Sequence, residues 1–147
     1  MDESNSDEQS NCSSCGAGVS GDLEGCRKLF DEVIAREFSD FRYGKVHRMT
    51  VDAYSLQHPD RYLKSFTSHA AHLTGLCWAF DYDGSQRIGN AIKKWLDTHP
   101  EKQKIPAPVF RGNMTILDVY NARDAGEHTE LVKKWAWEAW QAWSFPP

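Results

Sequence analysis

The chain has 147 residues, a length typical of one domain, and its 40% hydrophobic and 26% charged residues exclude a collagen-like chain and a chain without a core. The net charge of −4 arises from four acidic residues within the first eight positions; the other 17 acidic residues balance the 17 basic ones, which argues against a general nucleic-acid binder. No apolar run is long enough to span a membrane, and the N-terminus lacks the pattern of a signal peptide, so we expect a cytoplasmic protein.

Two segments without helical periodicity precede the first predicted helix. Residues 1–11 are polar and acidic, with no aliphatic side chain after Met1, so we expect a disordered tail. Residues 12–26 contain three cysteines and four glycines, which permit tight turns but produce neither a helical nor a strand pattern. We expect this loop to need a cross-link to the rest of the protein. We also expect it to be the first part of a single domain that covers residues 12–147.

Apolar residues at three- and four-residue steps, or a capping pattern, mark about six helices in the rest of the chain. In chain order the predicted helices run from Cys26 to between Ser39 and Gly44, from Val46 to about His58, from Lys64 or Ser65 to just before Asp83, from Ser85 to Leu96, from Thr115 to Ala122, and from about Gly126 to Trp143. Pro59 ends the second helix, and three prolines between residues 100 and 108 predict an extended connection before the fifth. Because no alternating strands or βαβ rhythm occur, the pattern predicts an all-α, single-domain helical bundle.

The last predicted helix is rich in tryptophan. Trp135 and Trp143 share an apolar stripe that we expect to face the core. We expect Trp137 and Trp140 to point elsewhere, where they line a pocket, contact another subunit or lie partly under the N-terminal loop.

The N-terminal cysteines have the spacing of a metal site. Cys12 and Cys15 form a CxxC pair whose two thiolates can face one ion, and Gly16 allows the backbone to turn back around that ion. Cys26, ten intervening residues later, is the natural third ligand. Because a structural zinc site needs four ligands and no second CxxC follows, the fourth has to come from elsewhere in the chain.

His58 is the preferred fourth ligand for Zn²⁺. The first two helices are joined by a short turn and are expected to run antiparallel, which returns the end of the second helix toward Cys26. His47 lies eleven residues earlier on the same helix, roughly 16 Å away at the helical rise, so both histidines cannot bind one ion. The sequence therefore predicts a closed Cys3His zinc knuckle formed by Cys12, Cys15, Cys26 and His58.

The cysteines also permit alternatives to a zinc site. A redox-active CxxC pair requires an α/β setting that this chain lacks, and a structural disulfide is uncommon in a cytoplasmic protein. The spacing can also arise by chance with no metal bound, and thiolates bind iron as well as zinc. Cys77, between Leu76 and Trp78 on an apolar helix, is expected to be a buried core residue.

A second set of polar residues is a candidate for catalysis. His47, Tyr54 and His58 repeat along one face of the second predicted helix, with Arg48 and Asp52 beside them. Further histidines lie on the third and sixth helices, and in a bundle such groups can converge on an ion or act as a general base. The candidate residues are His47, Asp52, Tyr54, His72 and His128. The alternative is that each histidine is a hydrogen-bonded structural residue.

These residues together resemble a family of small bacterial proteins that is catalogued as a domain of unknown function and begins with a CxxCG knuckle. The resemblance covers nearly the whole chain from Cys12. It rests on Cys12, Cys15, Gly16, Cys26, the run Val46-His47-Arg48-Met49-Thr50-Val51-Asp52-Ala53-Tyr54, Gln57-His58-Pro59, His72-Leu73, Glu127-His128 and the final tryptophan-rich helix. The resemblance supports the metal and histidine positions, and it implies no particular reaction.

Two hypotheses of function follow. The first is a binding or adaptor module in which structural zinc fastens the N-terminal loop to the bundle. The second is a metal-dependent enzyme that uses the His/Asp/Tyr group for hydrolysis or proton transfer, including a form in which two cysteines and a histidine leave an exchangeable water on zinc. The sequence does not decide whether the protein is an enzyme, and it does not identify a protein or small-molecule partner.

Overall fold

The computed structural model of the protein describes residues 11–81 and 106–144. Within these two ranges the chain forms seven helices and no strand, which confirms the predicted all-α fold. The helices are α1 (Asp22–Ser39), α2 (Phe41–Gly44), α3 (His47–Gln57), α4 (Pro59–Tyr62), α5 (Phe66–Asp81), α6 (Ile116–Tyr120) and α7 (Ala125–Ser144). The predicted helix over residues 85–96, most of the predicted tail and the first part of the proline-rich connection lie outside the described residues. No helix in the described ranges has the length and apolarity needed to cross a membrane.

Helix α1 begins four residues earlier than the sequence pattern indicated. Its first turn buries no apolar side chain before Cys26, because Leu23 is 40% exposed, so the apolar periodicity starts late. Asp22 and Glu24 occupy the first turn, where acidic side chains interact favourably with the helix dipole. Gly21 precedes the helix with φ +90°, a left-handed conformation that glycine adopts without strain.

The junction between α3 and α4 lies where proline predicted a break. α3 ends at Gln57, and His58 separates it from α4, whose first residue is Pro59. Proline is well suited to this position because the first turn of a helix needs no backbone donor. The one-turn helices α2 and α4 were not predicted, since four residues are too few to show helical periodicity.

The later helices agree with their predicted bounds. α6 has the predicted capping box: the Thr115 hydroxyl accepts from the backbone of the first turn, and the Asp118 carboxylate accepts from the backbone N–H of Thr115. α5 and α7 also begin and end within about two residues of the predicted positions.

Helix α3 lies at the centre of the fold and packs against α1, α5 and α7. Its buried Leu56 belongs to a core that also contains Trp135 and Trp143 of α7, as predicted. Trp140 is fully buried as well, contrary to prediction, because α7 is covered by α2, α3, α5 and α6 and therefore buries more than one stripe. Trp137 is 41% exposed, and its ring meets Phe80 edge-on.

Candidate metal centre

The N-terminal loop folds back on itself around the CxxC pair. The backbone N–H of Cys12 donates to Ala17 O at 2.9 Å, and the N–H of Gly16 donates to Cys12 O at 2.8 Å. Gly16 has φ +86°, so the reversal depends on a residue that tolerates the left-handed region. The hydroxyl of Ser14 donates to Gln57 O at 2.8 Å, which attaches the loop to the end of α3.

Four side chains from three parts of the chain meet at this loop. Cys12 and Cys15 come from the loop, Cys26 from the first turns of α1, and His58 from the α3–α4 junction. One donor atom of each residue lies within 4.8 Å of the donor atoms of the other three. The antiparallel return of α3 beside α1, inferred from the sequence, accounts for the position of His58.

Three separations between donor atoms match those of a tetrahedral zinc site. Zn–S bonds of about 2.3 Å and Zn–N bonds of about 2.0 Å at tetrahedral angles place two sulfur atoms about 3.8 Å apart and a sulfur and a nitrogen about 3.5 Å apart. The Sγ atoms of Cys15 and Cys26 are 3.8 Å apart. His58 Nε2 lies 3.5 Å from Cys12 Sγ and 3.4 Å from Cys26 Sγ. The three cysteines are not joined in a disulfide, so all three sulfurs are available as ligands.

Hydrogen bonds to a neighbouring residue hold two of the four candidate ligands, His58 and Cys26, in position. His58 Nδ1 donates to Tyr54 O at 2.7 Å, a bond that fixes the ring tautomer and leaves the Nε2 lone pair facing the sulfurs. The hydroxyl of Tyr54 donates to Cys26 Sγ at 3.3 Å, and the Tyr54 ring stacks between Phe30 and His58 with centroid distances of 3.9 Å. This arrangement is typical of the outer shell of a metal site.

The electrostatics of the cluster favour a bound cation. Hydrogen bonds from Cys15 and Cys26 lower the pKa of the Cys12 thiol, and the bond to Cys12 in turn raises the pKa of Cys15. The same interaction with Cys12 raises the pKa of Cys26 to about 11. One sulfur therefore holds the negative charge at the expense of its neighbours, and all three become thiolates only when a cation balances them.

The five predicted catalytic residues contact three separate sets of partners. Tyr54 lies at the candidate metal centre, where its hydroxyl donates to Cys26 Sγ. His47 and His128 both contact the carboxylate of Glu37, whereas His72 contacts the carboxylate of Asp52. Their catalytic role stays a prediction.

Glu37 is a buried carboxylate that the sequence pattern did not single out. It accepts from His47 Nδ1 at 2.8 Å, from the Thr50 hydroxyl at 2.6 Å and from His128 Nε2 at 2.8 Å, and its side chain is fully buried. It thereby connects α1 with α3 and α7. A signal was present in the sequence, because position 37 continues the buried stripe of α1 that includes Phe30 and Val33.

Asp52 of α3 is a second buried carboxylate, and it connects this helix with α5. Its carboxylate accepts from His72 Nδ1 at 2.7 Å and from Arg48 Nε at 3.0 Å. The side chain of Asp52 is 1% exposed, and that of Arg48 is 69% exposed. A Cβ atom on Gly75 would lie 2.1 Å from Asp52 Oδ2, so the absence of a side chain at Gly75 makes room for this pair.

Comparison with known proteins identifies a family. Neither a curated protein nor a solved structure matches the chain. A family model described as "Family of unknown function (DUF5946)" matches residues 10–144, which include the cysteine loop and every helix described above. The chain therefore belongs to this family of unknown function, as the sequence resemblance indicated.

Proposed function

We propose that Cys12, Cys15, Cys26 and His58 bind one zinc ion as a closed structural site, and that the protein is a zinc-stabilised binding module. The observation that supports this proposal is that one sulfur–sulfur and two sulfur–nitrogen distances match a tetrahedral Cys3His site, with all four donor atoms within 4.8 Å of one another. The softness of three thiolates and the tetrahedral arrangement favour zinc over magnesium, calcium or manganese.

The composition of the site supports a structural role for the metal. Four protein donors complete the tetrahedron, whereas a catalytic zinc keeps one position for water or substrate. Cys12, Cys26 and His58 are at most 4% exposed, so water has little access from their side. The metal would join the N-terminal loop to α1 and to the end of α3, which the loop otherwise contacts through a few hydrogen bonds.

A binding role follows from what the metal holds in place. Ser13 and Ser14 lie between two of the proposed ligands, and both line a surface cavity beside His58. Zinc would thus fix one wall of a concave surface without taking part in a reaction.

Elemental analysis of the purified full chain tests the zinc site. We expect one zinc per chain in the native protein, loss of that zinc in Cys15→Ser and His58→Asn, and retention in His47→Asn, the matched histidine control. Chelation is expected to lower the melting temperature of the native protein and of His47→Asn, with no effect on Cys15→Ser. Unchanged zinc content and melting temperature in Cys15→Ser would contradict the proposal, as would a metal that is lost with His47 alone. Elemental analysis also distinguishes zinc from iron.

A further inference from the structure

A cavity of about 270 Å³ opens beside the metal centre. Ser13 and Ser14 contribute from the N-terminal loop, Arg61 and Lys64 from α4 and the residues after it, and Arg111 from the segment before α6. Because the wall that contains Ser13 and Ser14 is held by the proposed zinc ligands, any ligand site here rests on the proposed function.

The cavity is positively charged. Among the described residues that line it, Arg61, Lys64 and Arg111 are basic and Asp60 is acidic. The cations therefore exceed the anions by two, whereas basic and acidic residues balance in the chain outside its N-terminal eight residues. A concave surface with one sign of charge attracts ligands of the opposite sign.

Arg111 is held in place by neutral oxygen atoms. Its Nη1 donates to Ser14 O at 2.8 Å and approaches Ser14 Oγ at 3.2 Å and Gln57 O at 3.4 Å, while its Nε donates to Pro108 O at 2.8 Å. In the part of the chain that the structure describes, no carboxylate neutralises this guanidinium, and its Nη2 has no hydrogen-bond partner. The side chain is thus oriented by the loop and keeps its full charge and one donor group for a ligand.

Tyr62 adds a hydroxyl to the same cavity. Its oxygen accepts from Arg27 Nη1 at 2.7 Å, so the phenol proton is available to donate to a ligand. The ring of Tyr62 meets that of Tyr54 edge-on at 5.7 Å, and both rings give the cavity an apolar wall beside its cations.

We propose that this cavity binds a small molecule through a phosphate group. A phosphate has about −1.5 to −2 charge and three acceptor oxygens at neutral pH, which matches the basic side chains of the cavity and the hydroxyls of Ser13 and Tyr62. The cavity volume of about 270 Å³ is just below the range for ligand pockets, roughly 300–1,000 Å³, so the cavity suits a phosphate with a small substituent. A carboxylate offers two oxygens and one charge, and it leaves part of this donor set unused.

Calorimetric titration of the zinc-loaded full chain tests the proposal. The probes are inorganic phosphate and phenyl phosphate, with acetate as the carboxylate comparison. The variants are Arg61→Ala and Lys64→Ala, both at exposed positions, and the control is Arg42→Ala, which removes the same charge from an exposed side chain that does not line the cavity. Zinc content is measured for every variant.

We expect saturable phosphate binding that is at least about tenfold weaker in Arg61→Ala and Lys64→Ala, since a hydrogen bond to a charged group contributes that much or more. Arg42→Ala is expected to bind within about twofold of the native protein. Phenyl phosphate that binds more tightly than inorganic phosphate would identify a phosphomonoester as the ligand, and the reverse order would identify free phosphate. Equal weakening in Arg42→Ala, acetate binding as tight as phosphate, or no saturation in protein that holds one zinc would overturn the phosphate site and leave the zinc site intact. Native protein without zinc would instead refute the proposed function, whatever the phosphate result.

Discussion

Replacing Glu37 by Gln is expected to destabilise the fold, although the two side chains have nearly the same shape. The Glu37 carboxylate accepts from His47, Thr50 and His128, and the amide of Gln offers one acceptor oxygen and one NH2 donor in its place. The most favourable orientation of the new amide directs its NH2 group toward His47, because the opposite orientation would place this donor group against the donors of both Thr50 and His128. The bond to His47 then requires the imidazole to move its proton to Nε2 and accept at Nδ1, and the other two bonds change from charge-assisted to neutral.

The size of the effect follows from these three bonds. Hydrogen bonds to charged groups contribute about 1.5–3 kcal/mol and neutral ones about 0.5–1.5 kcal/mol, so each of the bonds to Thr50 and His128 loses about 1 kcal/mol. The bond to His47, whose side chain is 32% exposed, also changes from charge-assisted to neutral and adds about 1 kcal/mol. The free energy of unfolding is therefore expected to fall by about 3 kcal/mol. For a chain of this length that corresponds to a decrease in melting temperature of about 10 °C.

Thermal and urea unfolding of the zinc-loaded protein measure this change. The matched control is Glu32→Gln, the same substitution at an exposed position of the same helix, for which we expect a change of at most about 0.5 kcal/mol. A melting temperature for Glu37→Gln within about 2 °C of Glu32→Gln would refute the assignment of Glu37 as the polar connection between α1, α3 and α7.

Two further outcomes are expected from substitution and from zinc binding. Gly75→Ala is expected to lower the free energy of unfolding by about 1–3 kcal/mol, because the new Cβ would lie 2.1 Å from Asp52 Oδ2. The control is Gly18→Ala, where a Cβ meets nothing within 4 Å. Equal urea midpoints for the two variants would contradict the close packing of Gly75 against Asp52. Zinc binding at pH 7 is expected to release about two protons per chain, because the pKa values of Cys15 and Cys26 are raised and both must bind as thiolates, so zinc affinity falls as the pH is lowered. Calorimetry in buffers with different ionisation enthalpies counts the protons, and a binding enthalpy independent of the buffer would contradict this prediction.

Local signals in the sequence predicted the fold well. The capping pair Thr115 and Asp118 and the break at Pro59 each depend on neighbours within a few residues, so their structural consequences could be inferred without knowing the fold. The short helices α2 and α4 escaped prediction because one turn shows no periodicity. The wide buried arc of α7, which includes Trp140, depends on how many helices surround it, and that number is a property of the tertiary structure.

The candidate metal site was predictable because its ligands lie close in sequence or at helix ends. Cys12 and Cys15 form a recognisable pair, and the short connection between the first two helices brings His58 back toward Cys26. Position 37 continues the buried stripe of α1, but the partners of Glu37 were missed because the contact with His128 spans 91 residues and leaves no local pattern. The cavity was missed for the same reason, since Arg111 joins Ser14 across 97 residues.

The polar residues along α3 form hydrogen bonds within the protein, whereas the end of this helix borders the cavity that we propose as a ligand site. At about 100° per residue, His47 and Asp52 project roughly 140° apart, and they pair with different helices, α1 and α5. Gln57 is fully buried: its amide nitrogen donates to Arg111 O and Met114 O, and its oxygen accepts from Trp135 Nε1. His47 and Asp52 thus bond to partners on separate faces of α3, and their catalytic role stays a prediction. The guanidinium of Arg111 instead bonds to neutral oxygens, and the basic residues beside it in the cavity at the α3–α4 junction support the proposal that this cavity binds an anion.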